Sequence, residues 1–143
     1  MLQGRFGDTT GAPYLEARVS FPRLGIRGLI SFLVDTGADG TVLMPMDSRK
    51  LGVDFHSLRN PRTPEGIGGP ANAFRELAVL SFSDRRYIYS YLIPVHIIVP
   101  TPHNIRFASL LGRDILKSGH FVLNVAKKKV TLTPRTWSLR QKI

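Results

Sequence analysis

Three residues in succession, Asp35-Thr36-Gly37, are the place in this 143-residue chain where chemistry is most readily assigned. They follow an almost continuously apolar run, residues 29–34, and precede Ala38, Asp39, Gly40 and a second short run, Thr41-Val42-Leu43. The pattern reads as a strand covered on both faces, a sharp turn, and another strand. A carboxylate at the end of such a strand sits at the rim of a core, where desolvation favours its protonated form. That suits it to move a proton to or from a water molecule. Thr36 brings a hydroxyl able to tie the turn to nearby backbone, and Gly37 allows a conformation that a Cβ would obstruct. The triplet alone carries little: at average residue usage it arises by chance in about one chain of this length in thirty. The apolar strands on either side of it are what make it informative.

The elements that must position the turn are legible as alternations. Leu15, Ala17, Val19 and Phe21 alternate with Glu16, Arg18 and Ser20, a half-buried strand. A turn over residues 22–28 returns the chain as the strand feeding Asp35. Asp47 and Gly52 fit the cap and the stop of a turn or so of helix. Residues 54–65 make a polar excursion. Residues 73–83 and 86–99 form a long β region turning at 83–85, with Tyr87, Tyr89 and Tyr91 sharing one face for sheet packing. Residues 107–111 are the strand expected beside the active turn. Beyond a helix starting near Gly112, residues 121–123 and 130–132 make a final hairpin.

In this setting the Asp35 segment resembles the active turn of the retropepsin-like aspartic proteases, the family of retroviral proteases and their single-domain cellular relatives. Two more segments resemble that family in the same order. Gly66-Ile67-Gly68-Gly69 is similar to the tip of its flap, the hairpin that closes over substrate. Leu110-Leu111-Gly112-Arg113-Asp114-Ile115-Leu116 is similar to its apolar-apolar-Gly strand running into a short helix. The resemblance spans residues 14–134. It implies an all-β fold: a closed barrel or sandwich of acid-protease type with one short C-terminal helix and a flap hairpin. It implies a polypeptide substrate, no cofactor and no metal.

By the same resemblance Asp35, Thr36 and Gly37 are the catalytic turn, and Ala38, Asp39, Val42, Leu110, Gly66, Ile67 and Gly68 contact substrate. Gly112 and Arg113 are structural support, with Arg113 and Asp39 forming a buried brace whose loss on either side would cost several kcal/mol. Glu65 and Pro70 depart from the viral flap pattern, and Pro70 removes a ladder donor, so pairing there is expected to be weaker.

Peptide hydrolysis by this chemistry takes two carboxylates sharing one proton, since like charges at close range cannot both ionise, and aspartic-protease dyads are the standard case. One deprotonates the attacking water while the other protonates the carbonyl oxygen. The chain holds a single Asp-Thr-Gly. The resemblance therefore implies a homodimer with a two-fold axis between two Asp35 residues. Its expected interface comprises residues 35–38, the flap tips at 66–69 and the hairpin at 120–134, with Thr36 bonding across to the partner's backbone. An acidic to mildly acidic optimum follows. Two other readings stay open: a retropepsin-fold module that binds peptides or mediates assembly without turnover, and a basic nucleic-acid-associated protein using the fold as scaffold.

Length implies a single domain over 1–143, with a loose segment at 1–13 and a basic tail at 135–143. The absence of cysteine excludes disulfides and thiol chemistry and is compatible with the cytoplasm, the expected location. The N-terminus lacks the apolar core of a signal peptide, and Met1 suits a stand-alone gene. Apolar runs broken by Pro94 and Pro100 fall short of a membrane span. Twenty Lys and Arg against 10 Asp and Glu give a net charge of +10, and no acid follows Asp114. Such an excess favours polyanions, nucleic acid first. The basic residues are scattered, however, and Lys127-Lys128-Lys129 between two apolar runs reads better as a solvated hairpin turn. His56, His96, His103 and His120 have no metal-type spacing. No nucleophile-elbow serine or phosphate-cradling glycine loop is present.

Overall fold

In the computed structural model, which describes residues 1–66 and 69–143, the chain starts with two short strands, β1 (Leu2–Gln3) and β2 (Arg5–Phe6). The loose segment expected over 1–13 is corrected there: Leu2 is buried in the core, and both strands are paired. Two-residue strands separated by Gly4 leave no alternation to read. The glycine is required, because a Cβ on it would stand 2.3 Å from the Tyr14 carbonyl oxygen.

The alternating segment is β3 (Pro13–Phe21), antiparallel to β4 (Ile26–Val34) through a 3-10 turn closed by Gly25 in the left-handed region, φ 67°. β4 begins ahead of the apolar run that announced it, because exposed Arg27 and the close-packed Gly28 interrupt the pattern without interrupting the ladder. After β5 (Val42–Leu43) comes α1 (Pro45–Leu51). Its N-cap is Met44, not Asp47: Pro45 has the fixed φ that suits a first helical position, so the helix starts earlier and Asp47 falls in its first turn. Gly52 ends it in the left-handed region, as expected.

There follow β6 (Pro61–Arg62), the hairpin pair β7 (Glu65–Gly66) and β8 (Gly69–Pro70), and the long hairpin of β9 (Ala73–Ser83) and β10 (Tyr87–Ile98). Only Leu110–Leu111 of the expected 107–111 strand is paired, as β11, and it leads into α2 (Arg113–Leu116). β12 (Gly119–Asn124) and β13 (Lys129–Pro134) form the final hairpin, with Lys127 and Lys128 in its turn. The basic tail ends as β14 (Leu139–Lys142), paired along β10, with the Trp137 ring 5.4 Å from that of Tyr89 and Arg140 over Trp137 at 4.6 Å.

Six strands close a barrel in the order β10-β5-β11-β4-β3-β9, with β9 returning to β10. Fully buried Phe21, Phe32, Phe82, Leu80, Ile97 and Leu111 fill it, each contributing about 1.5–3 kcal/mol relative to exposure. Beside the barrel, β1, β13 and β12 form a three-stranded sheet. No helix among the described residues is long and apolar enough to cross a membrane.

Candidate active site

The parallel pairing of β11 with β4 ends at Asp35. Leu33 N–H donates to the Ser109 carbonyl at 2.8 Å, and Asp35 N–H to the Leu111 carbonyl at 3.0 Å. These bonds fix the direction in which the chain leaves the barrel and leave the Asp35 side chain half-buried at its end. One carboxylate oxygen, Oδ1, accepts from Gly37 N–H at 2.9 Å, while the Asp35 carbonyl accepts from Ala38 N–H at 3.2 Å. Gly37 does not adopt the left-handed conformation that its residue type allows. Its requirement is space, since a Cβ there would lie 3.2 Å from Asp35 Oδ1, tighter than ordinary contact. The Thr36 hydroxyl is exposed and has no hydrogen-bond partner among the described residues, so it does not tie the turn within one chain.

Arg113 does that instead. Its N–H donates to the Ala38 carbonyl at 2.9 Å, and its guanidinium donates to the Thr36 carbonyl at 2.8 Å and to the Asp39 carboxylate. The pairing expected from the sequence is present, but its burial is not: the Arg113 and Asp39 side chains are 49% and 94% exposed. An ion pair in water is worth about 0–1 kcal/mol, so the expected brace of several kcal/mol is corrected.

The stronger cross-link lies one layer deeper. Thr41 is buried, with 1% of its surface exposed. Its N–H and hydroxyl donate to the Asp114 carboxylate at 2.9 and 2.8 Å, and its Oγ1 accepts from Gly112 N–H at 3.3 Å. Asp114 also accepts from Ile115 N–H at 2.9 Å. Gly112 must be glycine, because a Cβ would press within 2.5 Å of the Gly40 backbone. Asp114 is thus in the first turn of α2, as its position suggests, yet its carboxylate serves the loop that follows Asp35. A second tie has the same character: buried Ser109 donates to Asp47 at 2.6 Å and accepts from Met44 N–H at 2.9 Å, fastening α1 to β11. The only sequence signal for either was a small polar residue bordering an apolar strand.

One chain therefore brings residues 35–42 together with 110–114. Val42 and Leu110 form an antiparallel pair, both half-buried beside the turn. Gly66 is exposed on a hairpin of its own, where Glu65 pairs with Pro70 and Gly66 with Gly69. Ile67 and Gly68, the expected flap tip, lie outside the described residues. Among the described residues no three His, Asp or Glu side chains converge to hold a metal. His96, on β10, has its pKa pushed down by burial and by the nearby Arg75 and Arg62 cations, against the pull of Asp114.

A closed six-stranded barrel with an Asp-Thr-Gly turn at its rim, cross-linked to a Gly-Arg-Asp helix start, defines the retropepsin-like class of fold. The chain belongs to the retroviral aspartyl protease family, whose model matches residues 10–124. Among solved structures it is similar to a retropepsin-like aspartic protease from Rickettsia conorii, with 21% identity, a TM-score of 0.57 and coverage of 89% of this chain and 94% of that one. It is also similar to the EIAV protease in complex with an inhibitor, at 19% identity and TM-score 0.53, over 78% and 90% of the two chains. At these identities the likeness speaks for the fold. No curated protein matches the chain in sequence.

Proposed function

We propose that the protein is a homodimeric aspartic endopeptidase in which two Asp35 carboxylates, one from each subunit, act on a single water. The observation that carries this reading is a half-buried carboxylate, anchored by Gly37 N–H at the rim of the barrel, in a chain with one such turn. A two-fold axis through the turn supplies the second carboxylate. The ionised member takes a proton from the water as its oxygen attacks the peptide carbonyl carbon, and the protonated member gives its proton to the carbonyl oxygen. Collapse of the resulting diol, with a proton passed to the leaving amine, breaks the C–N bond and restores the shared proton.

The exposed Thr36 hydroxyl is available to bond across the axis to the partner's backbone. The 120–134 hairpin, where Leu123 and Val125 are 41% and 64% exposed, is the proposed second contact between subunits. The β7–β8 hairpin is the proposed flap, its glycines allowing close approach to an extended substrate with apolar side chains beside the cut. Ala38, Asp39, Val42 and Leu110 are proposed to line the substrate cleft.

A peptide-library digest tests the reading. Wild type should cleave at acidic to mildly acidic pH, and its rate per subunit should fall on dilution below the dimer dissociation constant. Asp35→Asn should abolish cleavage. Retained cleavage by that variant, or an optimum well above neutrality, refutes the mechanism.

A further inference from the structure

A groove of about 480 Å³ leaves the active loop at Asp39, Gly40 and Thr41 and runs onto the side of the barrel. Arg62 of β6, Arg75 of β9, His96 of β10 and Lys117 just beyond α2 line its outer part. Two acids also border it, but both are engaged: Asp39 with Arg113, and Asp114 with Thr41 and Ile115 N–H. The three cations are exposed, and none has a carboxylate within salt-bridge distance among the described residues. Arg62 Nη1 reaches only the neighbouring Pro61 carbonyl, at 3.0 Å. Ile93 and Pro94 supply an apolar wall, which concentrates the field of the cations in the groove. The groove therefore presents unpaired donors on residues from three parts of the fold, opening directly onto the loop that carries Asp35.

We propose that this groove receives the carboxylate of an acidic side chain of the polypeptide substrate, at a position away from the bond that is cut. The inference rests on the proteolytic reading of the same site and adds a charge preference to it. Guanidinium groups are suited to this task, because their planar forks match a carboxylate in a bidentate manner. Lys117 adds a point charge from the other side of the groove.

The test uses paired extended peptides carrying Glu or Gln at one position at a time. They are measured for cleavage by wild type and, by fluorescence anisotropy, for binding to the Asp35→Asn variant. At one or more positions Glu should be favoured about tenfold, equivalent to about 1.4 kcal/mol, and the preference should shrink as salt is raised. The Arg62→Gln/Arg75→Gln variant should lose that preference while handling the Gln peptide as wild type does, and Arg75→Glu should shift preference towards Lys. Equal treatment of Glu and Gln at every position, a preference that survives in the double variant, or failure of every peptide to bind overturns the proposal. Glu-dependent binding without any cleavage would keep the groove assignment and remove the protease reading.

Discussion

Replacing Thr41 with Val keeps the shape of a buried side chain and deletes one hydroxyl, so it isolates the cross-link between the Asp35 loop and α2. Two bonds disappear. The 2.8 Å bond to Asp114 involves a charged acceptor, and such bonds are worth about 1.5–3 kcal/mol. The Gly112 N–H loses its acceptor in a buried setting, at about 1–3 kcal/mol. The second bond is long at 3.3 Å, so leaving Gly112 N–H unpaired costs less than losing a short bond would. Asp114 is not stranded, since it still accepts from Thr41 N–H and Ile115 N–H. A combined destabilisation of about 2.5–4 kcal/mol is expected, from the lower halves of those ranges. Urea unfolding at one fixed protein concentration measures it, and peptide hydrolysis at the same concentration should fall with the loosened loop. Amide hydrogen exchange at Gly112 should accelerate, which a general loss of packing elsewhere would not single out. Thr41→Ser retains the hydroxyl and should recover most of the loss. A Thr41→Val protein within about 0.5 kcal/mol of wild type, the range of ordinary surface substitutions, would refute the cross-link as the brace.

By contrast, Arg113→Ala should cost the isolated subunit only about 1 kcal/mol, because its partner Asp39 is in water. A loss of several kcal/mol in the same unfolding assay would show that exposure misjudges the pair. Arg23 holds buried Glu76 through Nε at 3.0 Å and Nη2 at 2.5 Å. Arg23→Ala should destabilise the protein by leaving the buried Glu76 carboxylate without its partner. Arg23→Leu/Glu76→Leu should recover much of that in thermal unfolding. Burial pushes the Asp84 carboxyl up, but hydrogen bonds from the Met1 amino group, Arg86 N–H and Tyr87 N–H outweigh it and hold it at about 2. A carboxyl lowered by folding adds stability above its unfolded value of about 3.9, and loses it as pH falls toward 2. Asp84→Asn should therefore flatten the acid limb of stability against pH, and an unchanged limb would contradict the assignment.

Residues close together along the chain carried most of what could be read in advance. The β3–β4 hairpin and the β9–β10 hairpin appear as period-two alternations, and a turn that must follow an apolar strand appears as Asp35-Thr36-Gly37. The start of β4 at Ile26 and the capping of α1 by Met44 were displaced by single residues, Gly28 and Pro45, whose roles depend on a neighbour or on a fixed φ. β1 and β2 were illegible because strands of two residues have no period. Trp137 and β14 were illegible because nothing local names β10 as their partner.

The same division runs through the site. Residue type and order established the carboxylate, its glycine, the Gly112-Arg113 segment and the single copy of Asp-Thr-Gly. Burial was decided by the closed barrel: it left the Arg113–Asp39 pair in water and put Thr41 and Asp114, 73 residues apart, into contact inside. It also lined up Arg62, Arg75 and Lys117 along one groove. A sequence records which groups can bond, but closing the β9–β10 pairing settles which of them lose their water, and desolvation sets what each bond is worth.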